Sequence, residues 1–191
     1  LHGGLMVKKT FFTSACLMFA LGTAVSQDCK KAEYGADQQK YMESALQEFS
    51  ACKLPLDNNC RSALAKAAEK IYGIKDFSAD SKYLTPDAIG SKVAADTNWE
   101  HVGSASDQAA LKSAQSAANC GRAVVAVLTG ENGGHVALIL PGTLAHSGAW
   151  KLDVPNSASF FTHNPAKSFA GKGLSYSFPK AEGIEIYARK N

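Results

Sequence analysis

The sequence predicts an α+β fold, with helices packed on a mainly antiparallel sheet, and three observations carry that prediction. Apolar residues recur at helical spacing up to residue 119. Short β-branched and aliphatic runs replace them after residue 121, and the first two of those runs are separated by the hairpin punctuation Gly130-Glu131-Asn132-Gly133-Gly134. With 46% hydrophobic and 19% charged side chains over 191 residues, the chain has ordinary globular chemistry and one-domain size. That composition excludes a disordered, collagen-like or multi-span membrane protein.

At the N-terminus, residues 1–5 read as translated upstream sequence ahead of a start at Met6. Lys8 and Lys9 make a basic beginning, residues 11–25 an apolar stretch, and Ala24 and Ser26 are the small residues a signal peptidase reads. The stretch is shorter than the ~20 apolar residues of a spanning helix and is interrupted by Thr13, Ser14 and Gly22. Residues 1–26 are therefore expected to be upstream residues and a secretory signal, and 27–191 a single extracellular domain, monomeric and free of the membrane once the signal is removed. The formal charge is +3; losing Lys8 and Lys9 leaves 18 basic against 17 acidic residues, or +1. No Lys/Arg run exceeds two residues, which excludes the phosphate-neutralising surface of a nucleic-acid binder.

Residues 36–51 place Met42, Ala45, Leu46 and Phe49 on one helical face, and Lys53-Leu54-Pro55 ends that helix. The capping residues Asp57, Asn58 and Asn59 start a second helix at Cys60 or one residue before it; Leu64, Ala67, Ala68 and Ile71 face inward and Gly73 is the stop. Thr85-Pro86-Asp87 opens a third, with Ile89 and Val93 inward, and an alanine-rich fourth runs over 107–119. Strands are expected at 122–129, 135–140, 149–154, 174–178 and 184–188.

Export makes disulfides the first reading of Cys29, Cys52, Cys60 and Cys120, which allow three connectivities. Cys60 stands apart, because a thiol at a helix start is the easiest to ionise and the thiolate is the nucleophile. A bridge from Cys52 to Cys60 across the Pro55 loop is the competing reading. His135 follows two glycines at the start of a strand, and a cysteine at a helix start facing such a histidine is the papain-type way to make a thiolate–imidazolium pair. A hairpin between 135–140 and 149–154 centred near residue 145 would put Asp153 opposite residue 137, on the face of His135. Asp153 is thus the expected orienting residue, with Asn156 as the alternative. No Cys-x-x-Cys or His-x-x-x-His spacing occurs, so neither a metal nor another cofactor is expected.

The segments NNCRSALAKAAEKIYGI around Cys60, DAIGSKVAADTNWEHVGSASDQAALKSAQSAANCGRAVVAVL in the middle and GGHVALILPGTL around His135 resemble the type VI secretion amidase effectors. These are small papain-like (NlpC/P60-type) cysteine peptidases that bacteria deliver into the periplasm of rivals, and the likeness is greatest to their domesticated relatives secreted by ticks and mites. It spans roughly residues 57–145. The resemblance implies a papain-like fold, Cys60 and His135 as catalytic pair, bacterial peptidoglycan as substrate and a proteinaceous immunity inhibitor as a partner; it does not settle the third residue. A secretory signal favours the domesticated, antibacterial group. In the implied mechanism, His135 takes the Cys60 proton, the thiolate attacks an amide carbonyl and the Cys60 amide donates to the oxyanion. The bond implied is the D-Ala to diamino-acid crosslink, with the γ-D-Glu to diamino-acid stem bond as alternative. Two rivals stand beside it: a secreted cell-wall-binding protein with its four cysteines in two disulfides, and a general protein-cleaving cysteine protease.

Overall fold

The computed structural model describes residues 35–130 and 134–191, so the expected signal segment, Cys29 and Gly133 lie outside the described residues. Helix α1 (Ala36–Ser50) buries Met42 and Phe49 as its spacing predicts. Asp57 then caps α2 (Asn58–Arg61). The helix breaks at Ser62, whose hydroxyl donates to the carbonyls of Asn58 and Asn59, and resumes as α3 (Ala63–Tyr72) until left-handed Gly73 stops it. One predicted helix is thus two, and it begins two residues ahead of Cys60. A short hairpin, β1 (Ser78–Ala79) and β2 (Lys82–Tyr83), leads to α4 (Pro86–Ala95), with Pro86 in its first turn and Ile89 and Val93 buried. Strand β3 (Trp99–Ser104) and alanine-rich α5 (Gln108–Asn119) follow.

The remaining chain is β4 (Val124–Leu128), β5 (His135–Ile139), β6 (Ala145–Ser147), β7 (Leu152–Val154), β8 (Asn156–Ser159), β9 (Phe169–Gly173) and β10 (Ile184–Arg189). The main sheet has the order β3-β10-β4-β5-β8-β9 with every neighbouring pair antiparallel, so the molecule is α+β as expected. Residues 174–178 are a correction: Leu174–Tyr176 form a 3-10 turn, because Leu174 is drawn into the core while its backbone closes on Ser177.

Period-two alternation divides the core. Val125, Val127, Val136 and Leu138 meet α1, α3 and α4, whose contributions include Phe49, Leu64 and Ile89. Val124, Ala126, Ala137, Ile139 and Ile186 meet α5 through Leu111, Ala114 and Ala118, together with Leu174 and Phe178. Phe49 meets Phe160 edge-on at 5.3 Å, and burying each such ring is worth roughly 1.5–3 kcal/mol. Below the sheet edge, Asp76 Oδ2 accepts from Trp99 Nε1 at 3.0 Å and from Arg189 Nε at 2.9 Å, joining the loop after α3 to β3 and β10.

Residues 141–155 leave the main sheet, and α5 holds them with side-chain amides in place of a strand. Gln108 Nε2 donates to the Asp153 carbonyl (2.9 Å) and its Oε1 accepts from the Asp153 amide (2.8 Å). Gln115 likewise bridges the Leu140 carbonyl and the Asn156 amide, each at 2.9 Å. Asn119 does the same for both backbone groups of Gly142, at 3.0 and 2.8 Å. Among the described residues no helix is long and apolar enough to cross a membrane.

Candidate functional site

Cys60 is not a free thiol. It is joined to Cys52 with a Cα–Cα separation of 6.2 Å, and Cys120 is disulfide-bonded too. The expectation of a Cys60 thiolate is corrected by this bridge, which the turn through Leu54-Pro55 makes short enough to close. The expected oxyanion donor is corrected as well: the Cys60 amide donates to its own cap, Asp57 Oδ1, at 2.8 Å. The disulfide forms part of the wall of an open cavity of about 410 Å³, whose polar lining comes from Tyr41, Glu48, Lys53, Asp57, Asn59 and Lys66. Lys66 donates to Asn59 Oδ1 and lies 5.7 Å over the Tyr83 ring.

His135 starts β5 as predicted, but it faces away from Cys60. Val136 and Leu138 point to the layer of α1, α3 and α4, against which Cys60 packs; His135 shares the alternation of Ala137 and Ile139, which point to the α5 layer. The sheet therefore separates the two residues expected to form the catalytic pair. Around His135 is an aromatic box: Phe161 stacks on it at 5.0 Å with planes 2° apart, and Phe178 meets it edge-on at 5.1 Å. Its Nε2 is hydrogen-bonded to Ser159 Oγ at 2.6 Å. Burial, with a smaller contribution from nearby His163, lowers its pKa from 6.5 to about 4, so the ring is neutral near physiological pH.

Asp153 does not orient His135. Residue 137 pairs with Ser159 of β8, whereas Asp153 pairs with His146 across the separate β6–β7 hairpin. The register expected for Asp153 fails because Pro141 interrupts the strand after Leu140 and small-residue β8, not β7, occupies the edge of β5. The alternative, Asn156, is engaged elsewhere, its Nδ2 donating to the Pro141 carbonyl at 2.9 Å. Asp153 does accept from a histidine, but from His146 Nδ1, at 3.1 Å.

The residues the sequence did not single out are Ser159, Phe161 and Phe178 about His135, and His146 beside Asp153. Ser159 and Phe161 lie in the run SASFF, whose small residues carry no strand signal until β5 is known to pair with them; nothing in the sequence links Phe178 or His146 to this site. Among the described residues no group of three or more His, Cys, Asp or Glu side chains is placed to hold a metal ion. Comparison of the chain with protein-family models finds no match, and comparison with curated proteins finds none either.

Proposed function

We propose that this chain is a secreted, disulfide-braced protein that grips bacterial peptidoglycan, built on the plan of a papain-like (NlpC/P60-type) amidase but without cutting activity in its disulfide-closed form. The observation that carries the second half is the Cys52–Cys60 bridge: a sulfur held in a disulfide is not a nucleophile. The target rests on the resemblance of the segments around Cys60, Trp99 and His135 to the amidase effectors, and the opposite facing of His135 agrees with a retired site.

A second reading keeps the enzyme. Cys60 borders an open cavity of about 410 Å³, room for a peptide stem, so opening the bridge would expose a thiol to it. Hydrolysis of the D-Ala to diamino-acid crosslink, or of the γ-D-Glu stem bond, then requires both reduction and a strand rearrangement that brings a base to the Cys60 side. Purified sacculi decide between the two. Sedimentation measures binding and mass analysis of soluble muropeptides measures cutting, for the native protein, the reduced protein, Cys52→Ala and Cys60→Ala. Binding without release in every form is the expected result. Release by the reduced protein and Cys52→Ala, but not by Cys60→Ala, would establish the amidase, whereas neither binding nor release would end the peptidoglycan reading. Cleavage of casein by the reduced protein would instead identify a general protease.

A further inference from the structure

We propose that a cleft between the β6–β7 hairpin and the Gly173–Tyr176 segment is a saccharide site, taking an N-acetylated amino sugar with an anionic substituent, the repeating chemistry of a peptidoglycan glycan strand. This inference deepens the proposed function and rests on it for the biological source of the sugar. The cleft has a volume of about 450 Å³ and is lined by His146, Ser147, Gly148, Gly173, Ser175 and Tyr176.

Tyr176 is the platform. It is 67% exposed, the most open of the large hydrophobic side chains on this molecule's described surface. Its place is nevertheless held, because Phe169 meets it edge-on at 6.3 Å and Lys172 Nζ lies 5.5 Å from its ring centre. A fixed, exposed aromatic ring is costly to leave in water, and the C–H face of a pyranose covers such a ring while its hydroxyls turn to polar neighbours.

Those neighbours are present. Asp153 Oδ1 accepts from His146 Nδ1, which leaves Nε2 to hydrogen-bond a sugar hydroxyl or amide; the Asp153 backbone is itself clamped by Gln108, so the imidazole is held from the body of the protein. Ser175 adds a hydroxyl to the lining, whereas Ser147 is buried there with its Oγ accepting from the Trp150 amide at 3.3 Å. Gly173 keeps the cleft wall bare for a packing reason: a β-carbon there would lie 2.9 Å from Val154 Cγ2. Lys172 supplies the discrimination. Its cation, already held against the platform by Tyr176 and Phe169, favours a sugar carrying a carboxylate, such as the lactyl group of a muramic residue, over an uncharged N-acetylglucosamine chain.

Calorimetric titration of the full secreted protein with two soluble probes tests the assignment. One is the disaccharide of N-acetylglucosamine and N-acetylmuramic acid with a free lactyl carboxylate, and the other is chitobiose. The disaccharide should bind more tightly, Tyr176→Ala and His146→Ala should each weaken it by roughly tenfold, and Lys172→Gln should erase its advantage over chitobiose. Tyr176→Phe should retain binding, which shows that the ring and not the hydroxyl is used, and melting curves check that each exposed-site variant is folded. No binding of either sugar, or disaccharide binding unmoved by Tyr176→Ala, would overturn the proposal. Sacculi that sediment equally with wild type and Tyr176→Ala would also overturn it while leaving the proposed function standing. Disaccharide binding lost in Tyr176→Ala, by a protein that ignores sacculi, would uphold the cleft and remove the cell-wall reading.

Discussion

His135 is a half-buried structural histidine before it is anything else. Burial between Phe161 and Phe178 lowers its pKa from 6.5 to about 4, so between those values the unfolded chain binds a proton that the folded chain refuses. Stability from this group is complete above pH 6.5 and drains away as the pH falls toward 4, by an amount on the order of 3 kcal/mol. Melting curves between pH 7 and about 4.5 should show that slope, and His135→Gln, which can still bond to Ser159 without titrating in this range, should flatten it. Cys60 makes a second prediction: iodoacetamide should leave it unlabelled in the native protein and modify it after reduction, and labelling without reductant would contradict the bridge. At this scale the sequence was partly legible. The two residues it singled out are real landmarks, one at the first turn of a helix and one at the head of a strand. What it did not contain was which side of the sheet each faces, since that depends on the strand neighbours of β5.

Elements with strong local signals were readable: α1 from its apolar spacing, α4 from Thr85-Pro86, α5 from its alanines, and β4 and β5 from their aliphatic runs. Elements defined by partners were not. Strand β8 reads NSAS, with no apolar pattern, and is a strand because β5 and β9 bond to it on either side. Strand β3 owes its place to β10 and to the Asp76 junction. Asp76→Ala removes the acceptor of both the Trp99 indole and the Arg189 guanidinium, and should cost about 2–4 kcal/mol by urea denaturation. A loss below about 0.5 kcal/mol would mean the junction is ornamental. The Cys52–Cys60 bridge, with a sequence separation of 8, should contribute roughly 2–3 kcal/mol by constraining the unfolded chain, measured as the fall in stability of Cys52→Ala.

For the molecule as a whole, the six-stranded sheet is a partition with different chemistry on its two sides. The disulfide and its open cavity belong to the side of α1 and α3, while His135, the aromatic box and the saccharide cleft belong to the other. Cell-wall recognition that depends on Tyr176 should therefore survive reduction of the Cys52–Cys60 bridge, and sedimentation with sacculi before and after reductant checks that independence. The amide side chains of α5 carry a further consequence. Gln108 and Asn119 offer the wandering segment 141–155, and Gln115 its two flanking residues Leu140 and Asn156, the same donor and acceptor pairs that a neighbouring strand would offer. In deuterated water this segment and its exit into β8 should behave as concealed sheet: the amide protons of Gly142, Asp153 and Asn156, each held by one side chain from a single face of α5, should exchange slowly. Gln115 Nε2 also donates to Asn119 Oδ1 at 3.2 Å, the atom that accepts the Gly142 amide. Replacing Gln115 by Leu should therefore release the Asn156 proton outright and speed that of Gly142 less, whereas that of Asp153, held by Gln108, should not change. The helix can be read as a row of three latches, two of them coupled and one independent.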